Sequence, residues 1–155
     1  MLDAQHLTAL KIISDRLSGK GIVWALTGST SFNLQGMLLS PADIDIQTSE
    51  FGAYAINGYF KDYEIASVSF SSTEKIRSHF GRFEINGVPV EVMGDIQKKY
   101  NGEWEDIIDI SPLVEHVFCD GMTVPVLSLS YESSAYRKMG RHDRADAIDK
   151  FLSQK

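Results

Sequence analysis

The chain is poor in the features that stabilise or target a protein by covalent or compositional means. It has one cysteine, Cys119, in 155 residues, so no internal disulfide can form, and a disulfide scaffold is excluded. A reducing, cytoplasmic setting is the simplest expectation. No apolar run approaches the ~18 residues that a membrane-spanning helix needs. The first seventeen residues mix charge and polarity throughout and read as an amphipathic helix, not as a signal peptide. Positive charge is also scarce: 15 Lys and Arg against 21 Asp and Glu leave a formal net charge of -6, which argues against a broad nucleic-acid-binding surface. There is no G-x-x-x-x-G-K-[ST] sequence, which argues against a P-loop enzyme. The four histidines show no metal-ligand spacing, and there is no repeat, low-complexity segment or Pro/Gly/Ser linker.

What is present suits a packed core. Hydrophobic content of 43% with 23% charged residues is ordinary for a globular protein, and the length predicts one domain over 1–155, ending in a helical segment from about residue 130. Leu7, Leu10, Ile13 and Leu17 follow helical spacing over 3–18. Residues 22–27 form an apolar run rich in strand formers, ending at Gly28-Ser29. A short helix is expected over 31–38, capped by Ser29 or Thr30 and broken at Ser40-Pro41. Residues 43–48 alternate as a strand with one apolar face, and 50–60 suit a helix. Strands are expected at 63–71 and 77–86, with Ile65, Val68 and Phe70 among their apolar positions. Asn86-Gly87 is a strong hairpin signal into 88–93. Residues 94–112 carry many acids and no clear pattern. Short strands at 114–119 and 122–127 precede the closing helix, which Gly140 should interrupt. The whole reads as α/β of the α+β kind: a small mixed, mostly antiparallel sheet with helices packed on it.

The informative residues lie in two places. On a strand, Asp43 and Asp45 point to one side while Ile44 and Ile46 point to the other. Two adjacent carboxylates repel unless a cation lies between them, and Mg²⁺ or Mn²⁺ held by carboxylates and phosphate oxygens satisfies that condition. Upstream, Gly28-Ser29 at a strand end allows close backbone approach, and the free N–H groups at the start of the following helix, with the Ser29 hydroxyl, can hold phosphate oxygens. An anion site beside a metal site is what a metal-bound polyphosphate requires. Glu91 is the candidate third carboxylate, an acid in a strand whose Val88, Val90 and Val92 share the opposite face.

Gly28-Ser29, thirteen intervening residues, then Asp43-Ile44-Asp45-Ile46 resembles the signature of the DNA polymerase β-like nucleotidyltransferase superfamily, and Glu91 resembles its third acid. The size and order are similar to small lincosamide and aminoglycoside nucleotidyltransferases and to domains related to abortive-infection toxins. The resemblance spans roughly residues 5–150. It implies a metal-dependent enzyme that moves a nucleoside monophosphate from a nucleoside triphosphate such as ATP to an acceptor hydroxyl on a small molecule or macromolecule, releasing pyrophosphate. Asp43, Asp45 and Glu91 would be the catalytic metal ligands. Gly28 and Ser29, with Lys138 and Arg141 of the tail, would bind the nucleotide. The loop Leu38-Leu39-Ser40-Pro41-Ala42 departs from the pattern, lacking the basic residue and threonine of many relatives.

Competing readings are a non-catalytic nucleotidyltransferase-fold module acting as a binding or toxin-antitoxin partner, and a glycosyltransferase, which would leave Gly28-Ser29 unexplained. Glu91, His79 and His116 are open as general bases. Trp24 reads as core, Trp104 as exposed and Cys119 as a small buried hydrophobe. If the acidic stretch 103–109 lines the cleft, it favours a positively charged acceptor such as an aminoglycoside. A homo-oligomer that encloses the acceptor is a further expectation.

Overall fold

The computed structural model describes residues 2–155. Five helices pack on an eight-stranded mixed sheet. The helices are α1 (Ala4–Leu17), α2 (Gly28–Leu34), α3 (Glu50–Tyr59), α4 (Leu129–Lys138) and α5 (His142–Ser153). The strands are β1 (Trp24–Thr27), β2 (Ile44–Thr48), β3 (Glu64–Ser72), β4 (Ile76–Ile85), β5 (Val88–Tyr100), β6 (Glu103–Trp104), β7 (Val114–Cys119) and β8 (Met122–Leu127). The sheet order is β3-β4-β5-β2-β1-β8-β7, with β6 against β5. Only the β2–β5 and β1–β8 pairs are parallel. The architecture is therefore α+β with a mostly antiparallel sheet, as expected.

Strand alternation assigns each face. Ile44, Ile46, Val90 and Val92 point to one side and are buried with Leu10, Ile13, Ala53 and Ile56 of α1 and α3. This is the main core, and Trp24 belongs to it. On the other side, α2, α4 and α5 meet through Phe32, Leu129 and Ile148. Asp3 caps α1 by accepting the His6 N–H, Ser49 caps α3 by accepting from Gly52, and Ser128 caps α4 by accepting from Tyr131. Gly140 at φ 76° separates α4 from α5, the expected break.

Several boundaries differ from expectation. Helix α2 begins at Gly28 with Thr27 in the cap position, because Gly28 at φ 72° turns the chain directly out of β1. It ends at Leu34, not at 38. Strand β5 runs on to Tyr100, because β4 continues to pair with it as far as Ile76 opposite Lys98. Ile65 and Phe70 lie in the expected strand, and their side chains are exposed. They lie on edge strand β3, where register shifts between Glu64 and Ser69 interrupt the alternation. Cys119 is half-buried at the end of β7, where partial burial pushes its thiol pKa up. Trp104 is half-buried too, its ring 4.3 Å from the Arg77 guanidinium.

Candidate active site

The sheet register builds a row of polar side chains across four strands. Thr27 of β1 is opposite Asp45 of β2, Asp45 is opposite Glu91 of β5, and Glu91 is opposite Arg82 of β4. Directly opposed residues share a face, so all four point away from the Ile46–Val92 core. Asp43 sits one residue before β2, on the same side as Asp45. Its backbone carbonyl accepts a hydrogen bond from the Thr30 hydroxyl of α2, which fixes the approach to the strand. One carboxylate oxygen from each of Asp43, Asp45 and Glu91 lies within 4.8 Å of the others, and all three residues are half-buried.

Asp45 is the most perturbed member. Burial first, then the negative charges of Asp43, Glu91 and Glu132, push its pKa up to about 7. Its Oδ1 is buried without a hydrogen-bond partner among the described residues. The donor set is all oxygen and carries an orphaned, charge-crowded acceptor, so it fits a hard divalent cation.

Gly28 closes in from the other side. A Cβ added there would lie 2.8 Å from Asp45 Oδ2, so glycine is what lets the turn approach the carboxylate. Ser29 is half-buried in the first turn of α2. The Gly28 N–H does not point to open space. It donates to Glu132 Oε2 of α4 at 3.1 Å, while the Thr27 hydroxyl donates to Glu132 Oε1 at 2.6 Å. Glu132 is only 4% exposed. Burial raises its pKa, opposed by those two hydrogen bonds and by Lys98.

The sequence reading missed Glu132, although a signal existed. Leu129, Glu132, Ser133 and Tyr136 share one helical stripe, and an acid inside an otherwise inward-facing stripe needs a partner. Arg82 was missed as well. The two-residue Asn86-Gly87 turn sets Ile85 against Val88, and counting three residues back on each strand puts Arg82 opposite Glu91.

A cavity of about 170 Å³ lies between this sheet face and α4, with Asp45, Gln47, Lys98, Tyr131, Glu132 and Arg141 among the residues of its walls. Lys138 is not among its lining residues and faces a neighbouring cleft. The acidic stretch does not enter the cavity. Glu105 accepts from the backbone N–H and the ammonium of Lys98, and Asp109 accepts from Ser111. The condition for a cationic acceptor is therefore not met by these residues. Neither histidine reaches the acids. His79 shares the opposite face of the sheet, held 2.9 Å from the Tyr54 hydroxyl and 3.2 Å from Glu50 of α3. His116 is exposed on edge strand β7. Among the three candidate bases, only Glu91 lies in the cluster.

Residues 9–150 match the family model described as aminoglycoside-2''-adenylyltransferase. Among solved structures, the chain is similar to a provisionally assigned nucleotidyltransferase from Thermotoga maritima, at 46% identity and a TM-score of 0.87, covering 100% of this chain and 97% of that one. Two more distant structures share the fold. One is the lincosamide antibiotic adenylyltransferase LnuA with lincomycin bound, at 12% identity and TM-score 0.56 over 90% of this chain and 96% of that one. The other is ANT(2")-Ia in complex with adenylyl-2"-tobramycin, at 10% identity and TM-score 0.61 over 96% and 90%. No curated protein matches. No helix among the described residues is long and apolar enough to cross a membrane.

Proposed function

Since the chain belongs to the aminoglycoside-2''-adenylyltransferase family, we propose that it moves a nucleoside monophosphate, with ATP the expected donor, onto an acceptor hydroxyl. The hydroxyl oxygen forms a bond to the α-phosphorus, the bond from that phosphorus to the β-phosphate oxygen breaks, and pyrophosphate leaves. Asp43, Asp45 and Glu91 are the residues that would hold Mg²⁺ or Mn²⁺. When bound, such an ion lowers the pKa of a coordinated hydroxyl and neutralises charge on the leaving pyrophosphate.

The chain's own residues carry the remaining tasks. Ser29 offers its hydroxyl to the β- and γ-phosphates. Gly28 contributes closeness, because its own N–H is committed to Glu132. Arg141, which lines the same cavity as Asp45, supplies positive charge toward the phosphate chain. The proton released by the acceptor passes to Glu91, the candidate base that lies among the acids. Glu132 holds the Thr27–Gly28 turn at its set distance from Asp45, a positioning role.

The observation that carries this reading is the convergence of three carboxylates on one point of the sheet face, with a partnerless buried oxygen on Asp45. The test is calorimetric titration of ATP with Mg²⁺ or Mn²⁺, alongside release of pyrophosphate. Wild type should bind the metal–nucleotide, and Asp45→Asn should lose the metal-dependent part. Equal binding by the two proteins, with and without metal, would overturn the assignment. It would favour a module that has kept the fold without the chemistry.

A further inference from the structure

A second and larger cleft, of about 730 Å³, opens beside the Asp45 cavity. The two share Ile76, Met139 and Arg141, so one leads into the other between β4 and the turn joining α4 to α5. The charged side chains of this cleft are Lys75, Lys99, Lys138 and Arg141, against the single carboxylate Glu74. Four cations face one anion there, on a chain whose net charge is -6.

None of these four cations forms an ion pair among the described residues, whereas Lys98 next to them is engaged by Glu105. Two of them are oriented without being neutralised. The Lys99 ammonium lies 5.5 Å from the Trp104 ring, and the Arg141 guanidinium lies 5.2 Å from the Tyr136 ring. An aromatic face attracts a cation through its quadrupole and leaves the full charge available to a ligand. The clustered like charges repel one another, and an anion between them relieves that repulsion. Ile76 and Met139 give the same cleft apolar surface for a carbon skeleton. The lining includes none of Gly28, Ser29, Asp43, Asp45 or Glu91; of the residues assigned to the triphosphate under the proposed function only Arg141, which lines both cavities, belongs to it.

We infer that the acceptor is a small anionic molecule, bearing phosphate or carboxylate, whose charged end is held by Lys75, Lys99 and Lys138 while its hydroxyl reaches the Asp45 cavity past Arg141, which lines both cavities. This rests on the nucleotidyltransferase reading and narrows its acceptor class. A polycationic aminoglycoside meets four like charges at this position and is disfavoured.

The experiment uses sugars that differ in charge: glucose 6-phosphate, glucuronate, neutral glucose and cationic glucosamine. Binding is followed on the ¹⁵N-labelled full chain through its amide resonances, first in EDTA. An anionic sugar should give saturable shifts at Lys75, Ile76, Lys99 and Gly102, with affinity about tenfold above glucose and glucosamine. The double variant Lys75→Gln/Lys99→Gln should lose about tenfold of that affinity, while the charge-matched remote pair Lys11→Gln/Lys150→Gln leaves it unchanged at ~150 mM salt, where the screening length is short. Saturating Mg²⁺ and a non-hydrolysable ATP analogue should leave the anionic sugar bound. Equal binding of all four sugars, or preference for glucosamine, overturns the inference. Displacement of the sugar by the ATP analogue also overturns it, because the cleft then belongs to the nucleotide's own phosphates. If the analogue fails to bind with Mg²⁺, the nucleotidyltransferase reading fails and the acceptor role with it, while the EDTA titration still decides whether an anion site exists.

Discussion

Glu132 Oε1 accepts a hydrogen bond from the Thr27 hydroxyl at 2.6 Å, and through it α4 is fastened to the end of β1. The other oxygen of the same carboxylate accepts from the Gly28 N–H, so one buried side chain satisfies both donors at the turn that approaches Asp45. Removing it should uncover both. Glu132→Ala leaves two donors short of partners and a void beside them, and should cost about 2–4 kcal/mol in urea unfolding. Glu132→Gln retains an acceptor for one donor and removes a buried charge, so its loss should be about 1 kcal/mol or less. Equal losses in the two variants would mean that the two bonds accepted by the carboxylate, and not the space the side chain fills, set its role, and would overturn the smaller loss expected of Gln.

Gly28→Ala tests the close approach. The substitution forces a side chain into φ 72° and places its Cβ 2.8 Å from Asp45 Oδ2. The left-handed backbone alone costs about 1–2 kcal/mol, and Asp45 must also move. The variant should unfold at lower urea and bind Mg²⁺–ATP more weakly than wild type. A variant that loses stability and keeps full nucleotide affinity would show that the Asp45 position is not set by this turn.

The fold and site were legible wherever the information was local. Asp43-Ile44-Asp45-Ile46 shows its two faces by alternation, and Asn86-Gly87 fixes the β4–β5 register by turn length. The helical break at Gly140 follows from glycine alone. What could not be read is long-range pairing. Asp45 meets Glu91 because β2 and β5 run parallel after an excursion through α3, β3 and β4, and no short-range pattern specifies that neighbour. The edge position of β3 left Ile65 and Phe70 exposed despite their apolar character. Glu132 shows the same limit in reverse, since its partners are 104 and 105 residues away in sequence. The basic cleft likewise assembles Lys75, Lys99, Lys138 and Arg141 from separate segments, so an acidic composition gave no hint of it.

Asp45 is placed for function at a cost to the fold. A carboxylate held at a pKa of about 7, up from 3.8, is unfavourable in its ionised form. At ~1.4 kcal/mol for each tenfold change in acidity, that rise bounds the effect at about 4 kcal/mol, and partial exposure with local relaxation reduces it to about 1–3 kcal/mol. Asp45→Asn should therefore be more stable than wild type at pH 8 in EDTA by that amount, while losing metal-dependent ATP binding. Urea unfolding of the two metal-free proteins checks the gain. An Asn variant less stable than wild type would show that the carboxylate's neighbours already compensate its charge.

The same group sets a pH dependence with a definite sign. Its folded pKa lies above its unfolded value, so between about pH 4 and pH 7 the native state binds more protons than the unfolded chain. Stability contributed by protonated Asp45 is complete below pH 4 and is lost as pH rises through 7. The buried Glu132, also shifted upward, acts in the same direction. Asp62, Asp109 and Asp149 are shifted downward by hydrogen bonds and oppose this trend only near and below the ordinary carboxylate range, so they leave the upper half of the window clear. Metal-free wild type should thus lose stability from pH 5 to pH 8 relative to Asp45→Asn, with the two curves converging near pH 4. Mn²⁺ should remove most of the difference at pH 8, because a cation held by Asp43, Asp45 and Glu91 stabilises the ionised form that the fold alone disfavours. Parallel curves in EDTA, or a Mn²⁺ effect of equal size in Asp45→Asn, would place the titrating group and the ion somewhere other than this cluster.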